Sequence, residues 1–146
     1  AHLHDTAARW LAEGRRAVVV QVLEHRGSVP RESGTRMLVS EAQVAEKVEA
    51  LIVTRGAEGS RVYHDGTVTE VACVQADALV DPTGCGDAYR GGLLYGLARG
   101  ADIVASARLA SVMGSIKIAH RGGQNHKLTR DGIAARYSAA FGDRLW

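Results

Sequence analysis

"DPTGCGDAYRGG", residues 81–92, sets Gly84, Cys85 and Gly86 between two acids and then runs into an apolar, helix-forming segment. A strand is expected to end near Asp81, with Pro82 fixing the backbone for a turn. A helix that starts here leaves its first amides without internal partners, at the positive end of its dipole. Such an end attracts anions, and glycines let a phosphate approach the backbone closely. A carboxylate at Asp87 would repel a phosphate that was merely bound. It makes chemical sense as a base that takes a proton from an attacking hydroxyl, while the amides hold the charge of a transferred phosphoryl group. The same residues also suit an ordinary helix start with an acid in its first turn. On composition alone that plainer reading is favoured, because short glycine motifs recur by chance.

Outward from this stretch, the pattern alternates between strands and helices. "DAYRGGLLYGLARG" reads as a helix ending at Gly100, and "IVASARLASVMGSIKIAH" as a second helix rich in small residues. After the loop "RGGQNH" a last helix follows, with Thr129 to Gly132 as its start. Upstream, "LIVT" (51–54) is a strand, and "RVYHDGTVTEVACV" is a hairpin turning at Asp65-Gly66. "EAQVAEKVEA" (41–50) has helical spacing, "MLVS" is a short strand, and "AVVVQVLEH" (17–25) is a β-branched strand. Residues 5–14 suggest a short helix stopped by Gly14. The order predicts an α/β fold with a partly parallel sheet.

Composition narrows the function classes. The chain has 146 residues, enough for one domain with a core. A net charge of +2, with no dense Lys/Arg block, argues against nucleic acid or an anionic membrane as partner. The longest apolar runs are too short to span a bilayer. The first ten residues lack the order of a signal peptide, and two cysteines do not make a disulfide framework, so the cytoplasm is expected.

"DPTGCGDAYRGGLLYGLARG" resembles the C-terminal signature of the PfkB carbohydrate kinase family, which includes ribokinase and adenosine kinase. "ALIVTRGAEGSRVY" resembles that family's Thr-x-Gly-x-x-Gly strand and turn, and "GSIKIAHRGGQNH" the segment beside the nucleotide base. The likeness covers roughly residues 41–142, the second of two expected segments (1–40 and 41–146). It implies a partial ribokinase-like sheet with flanking helices, preceded by a short β-rich segment. It further implies ATP with Mg2+, and a sugar or nucleoside hydroxyl as acceptor. Asp87 would be the catalytic base, and Gly84, Cys85 and Gly86 the anion hole. Thr54, Gly56, Gly59 and Gly123 would lie along the nucleotide. Asp81 and Thr83 would fall where some members hold a monovalent cation such as K+. Cys85 stands where Ala is usual. The family's Asn-x-x-Glu motif, which helps organise magnesium upstream of the Thr-x-Gly strand, is absent, since the one Asn is Asn125. The acceptor-binding half also has no counterpart, so little turnover is expected from this chain alone.

The first forty residues have a resemblance of their own. "RGSVPRESGTRMLV", Arg26 to Val39, is similar to the N-terminal opening of the XdhC family, accessory proteins that handle molybdenum cofactor for xanthine dehydrogenase. In that alternative, backbone amides and Arg31 would meet an anionic cofactor. A surface loop between strands is the plainer reading. The two resemblances meet near Leu38 to Glu41, and a fused remnant without function is a third alternative. Truncated sheet edges would then invite a homodimer that covers them.

Other residues have bland readings. His120 and His126 lack a standard zinc spacing. Cys73 is expected to be a buried strand residue. Ala107, Ala110, Gly114 and Ser115 form a small-residue face suited to close packing on the sheet, and the kinase resemblance would set that face beside the adenine.

Overall fold

The structure, a computed structural model, describes residues 3–14, 17–21, 36–40 and 49–146. The chain divides into two compact units, Ala1–Glu49 and Ala50–Trp146.

In the first unit, helix α1 (Leu3–Ala12) precedes strands β1 (Ala17–Gln21) and β2 (Arg36–Ser40). The strands pair antiparallel, Val19 opposite Leu38. Gly14 follows α1 with φ of 71°, as its reading as a helix stop requires. The Gly-Ser-x-Pro-Arg loop and the helix expected at 41–50 lie outside the described residues, apart from Glu49 and Ala50.

The second unit opens with a sheet of three strands, β3 (Ala50–Thr54), β4 (Ser60–His64) and β5 (Thr67–Val71), with β4 in the middle. Both pairings are antiparallel, as is the β1–β2 pairing. The partly parallel sheet read from the sequence is therefore corrected among the described residues. The connections explain why: β3 reaches β4 through one turn, Gly56–Glu58, and β4 reaches β5 through Asp65 and Gly66. Links this short join only antiparallel neighbours. Asp65 and Gly66 have φ of 48° and 72°, the left-handed pair that a tight hairpin needs.

Three helices complete the unit: α2 (Cys85–Ala98), α3 (Ile103–Ile118) and α4 (Arg130–Phe141). Asp102 caps α3 by accepting from the Ala105 amide at 2.8 Å, and Thr129 caps α4 by accepting from the Gly132 amide at 3.1 Å. Helix α3 is the buried one, with small and large residues serving different neighbours. Ala107 packs with Val62 and Val71 of the sheet. Leu109, Val112 and Ile116 pack with Tyr137 of α4. Ala110 and Ser106 face α2, where Gly92 and Gly96 leave no room for a side chain. The small-residue face thus serves the α2–α3 contact as well as the sheet. Cys73, expected buried in a strand, lies exposed beyond the end of β5.

Candidate functional site

No strand leads into residue 81. From Ala72 to Pro82 the backbone is irregular. The amides of Val80 and Asp81 both donate to the carbonyl of Ile118, at 2.9 and 3.0 Å. This corrects the strand expected to end near Asp81: its donors are taken by the C-terminal end of α3, not by a neighbouring strand.

The turn itself is built as an anion site would be. Gly84 precedes α2 with φ of 78°, a left-handed conformation that favours glycine. A Cβ there would stand 3.2 Å from Gly123 Cα. The Cys85 amide donates to the Pro82 carbonyl at 3.1 Å, and the Ala88 amide to Gly84 at 2.9 Å. Between them, the amides of Gly86 and Asp87 meet no backbone acceptor among the described residues. Asp87 stands exposed beside them. One of its oxygens accepts from Arg90 at 2.9 Å, one turn along α2.

Asp81 is engaged quite differently. Its Oδ1 accepts from the Thr83 amide at 2.9 Å and its Oδ2 from the Gly122 amide at 2.7 Å. The Gly122 amide, then Thr83 through amide and hydroxyl, and then the Lys117 charge lower its pKa to about 2. Asp81 thus joins the 81–87 turn to the loop after α3. Lys117, fully buried, adds a second tie by donating from Nζ to the carbonyls of Asp81 and His120 at 3.0 and 3.1 Å. Where the monovalent cation is expected, at Asp81 and Thr83, a lysine ammonium is already in place. Both Asp81 carboxylate oxygens already accept from amides, and an ammonium sits on its carbonyl.

Thr54, Gly56 and Gly59 belong to the turn after β3. The Arg55 amide donates to the Gly59 carbonyl at 2.8 Å and the Gly59 amide to Gly56 at 3.0 Å. Gly59, with φ of 83°, admits no Cβ because one would land on the Val71 carbonyl. This turn is tied towards α2 through the next residue. Ser60 Oγ and the Tyr89 hydroxyl are 2.8 Å apart, and burial pushes the Tyr89 phenol up. The structure therefore gathers Asp81, Thr83, Gly84, Cys85 and Gly123 into one cluster, and ties the Thr54–Gly59 turn to α2 at Tyr89. Ser60, Tyr89, Gly122 and Lys117 were missed. None left a clear signal: Lys117 is one of two cations, with Arg108, in a helix that also carries three serines. Histidines 120 and 126 form no metal cluster with other ligating residues among those described.

Three comparisons bear on this geometry. A family model described as pfkB family carbohydrate kinase matches residues 27–130. A nucleoside kinase of Methanocaldococcus jannaschii is 35% identical over 91 residues, covering 62% of this chain and 30% of that protein. The solved structure of Burkholderia thailandensis nucleoside kinase in complex with inosine superposes with a TM-score of 0.70 at 49% identity. It covers 73% of this chain and 35% of that one. The same enzyme in complex with ADP-inosine gives 0.69 and 50%, over 72% of this chain and 33% of that one. The chain spans about a third of the length of these relatives.

Proposed function

Since the chain belongs to the pfkB carbohydrate kinase family and carries part of its ribokinase-like α/β fold, we propose that it holds the phosphates of ATP for transfer to an alcohol. The observation that carries this reading is the start of α2, where left-handed Gly84 leaves the Gly86 and Asp87 amides without a backbone acceptor among the described residues, beside an exposed carboxylate. Charge that builds on the transferred group would meet those amides and the helix dipole. Asp87 would accept the proton of the attacking hydroxyl, with Arg90 steadying its other side. Thr54, Gly56 and Gly59 would border the phosphates, and Gly123 the nucleotide beyond Gly84. ATP would arrive with Mg2+, whose chemistry is to neutralise phosphate charge. Mg2+ is ordinarily held by one or two carboxylates together with the phosphates themselves, so it needs no cage of protein ligands. The acceptor class is a sugar or nucleoside, and the similarity to nucleoside kinases favours the nucleoside. By themselves these 146 residues are expected to bind nucleotide but turn over little, because proton abstraction needs a positioned hydroxyl. The family match takes in residues 27–39, which favours reading that stretch with the kinase over a molybdenum-cofactor role.

Calorimetric titration of magnesium–ATP into the purified chain tests the proposal. Asp87→Asn should bind ATP as well as the parent or better, since it removes a repulsive charge. Gly84→Val should lose binding, because valine resists a φ of 78° and its Cβ would crowd Gly123. Absence of binding in the folded parent chain would overturn the reading.

A further inference from the structure

Lys117 lies near the end of the most buried helix, with 0% of its surface exposed. A buried charge is costly unless something compensates it. Among the described residues its ammonium makes no ion pair with a carboxylate; its two recorded contacts are the carbonyl oxygens of Asp81 and His120. These come from separate loops, before α2 and after α3, which also meet where the Gly122 amide donates to Asp81. Carbonyl oxygens converging from loops, with a carboxylate close by, are the surroundings that hold a desolvated monovalent ion. Here the positive charge is covalently attached. Its stem passes under the anion turn, since Lys117 Cε is 3.6 Å from the point a Gly84 Cβ would occupy.

We propose that the Lys117 ammonium is a tethered cation that takes the place of the monovalent ion expected at Asp81 and Thr83. A second positive charge among the same oxygens would be repelled by the ammonium. The turn at 81–87 and the loop at 120–123 are then held together without K+. The fixed charge behind Gly84 adds to the field of the α2 N-terminus. A tethered cation is present at every salt concentration, whereas a bound ion stabilises only in proportion to its occupancy.

Thermal melting of the whole chain in KCl and in tetramethylammonium chloride at equal ionic strength tests this. The bulky cation cannot enter a carbonyl cage. The parent chain should melt at the same temperature in both salts. Lys117→Met keeps the stem and removes the charge. It should melt lower in tetramethylammonium and regain about 5 °C or more in KCl, as a vacated cation site fills. A Lys117→Met chain that folds only in KCl supports the proposal equally. A parent chain stabilised specifically by K+ overturns it. So does a Lys117→Met chain that is folded and indifferent to the salt, or unfolded in both, because ion and ammonium would then not be interchangeable. The readout is folding, so a chain that binds no nucleotide still gives the answer.

Discussion

Asp81 and Asp87 are six positions apart and do opposite work. Asp81 has an amide on each carboxylate oxygen and a buried lysine nearby, and its pKa is lowered to about 2. Asp87 stands in solvent at the mouth of α2, with one arginine beside it. The first ties the turn to the loop after α3, while the second is open to solvent, as the proposed role of a base requires. The sign of the pH effect follows. A carboxyl held below its ordinary value contributes its full stabilisation above the ordinary carboxylate range. It loses that contribution as pH falls through the folded value. The melting temperature of the parent chain should therefore drop between about pH 4 and pH 2 more steeply than that of Asp81→Asn. At neutral pH the variant should melt lower, because the Asn amide group would turn a donor towards one of two backbone donors. The two curves should converge in strong acid. A pair of curves that stay parallel across this range would show that Asp81 does not hold the loop through its charge.

Between α2 and α3 the packing is backbone against small side chains. A Cβ on Gly92 would come within 2.9 Å of Ala110 Cα, and one on Gly96 within 2.6 Å of Ser106 Oγ. Relief at Gly92 requires the helices to part, because the obstruction is backbone. Gly92→Ala gains helix propensity, but overpacking should win and destabilise the chain by about 1–3 kcal/mol. Urea unfolding checks the sign, and a stabilised variant would mean that the helices slide freely. These elements also show what sequence makes legible. The Asp65-Gly66 hairpin and the Thr129 cap were readable because their signals lie within a few residues and act on local backbone. The opening motif was readable for the same reason, as a glycine turn entering a helix. The antiparallel pairings of β1 with β2 and of β3 with β4 were not, because they depend on which segments become neighbours. Nor was the irregular path into Asp81, whose amides are claimed by a carbonyl almost forty residues later. Lys117 was hidden for a related reason. A lysine in a helix ordinarily reaches solvent, and only the meeting of two distant loops shows what it holds.

Taken whole, the second unit buries two apolar clusters around α3 and leaves apolar groups uncovered elsewhere. Leu79 is 83% exposed and Leu94 65%, with Tyr95 and Leu97 of α2 also open. Strands β3 and β5 each have an unpaired edge among the described residues, since β4 alone has neighbours on both sides. Single exposed leucines are ordinary, but a helix face of them and open strand edges each favour association. The partner these surfaces fit is a second copy of the chain. Sedimentation velocity over about a tenfold range of concentration should show a species that grows with concentration. Joint Leu94→Glu and Leu97→Glu substitution should weaken it, because both positions are exposed and neither belongs to the buried core. The two sources of association separate by their response. If the helix face drives it, the double variant is monomeric throughout. If strand edges drive it, the variant associates as the parent does, and a proline in β5 at an outward donor abolishes the larger species. A parent chain that stays monomeric at every concentration would show that neither surface is sticky enough to matter. The exposed leucines would then be ordinary surface residues.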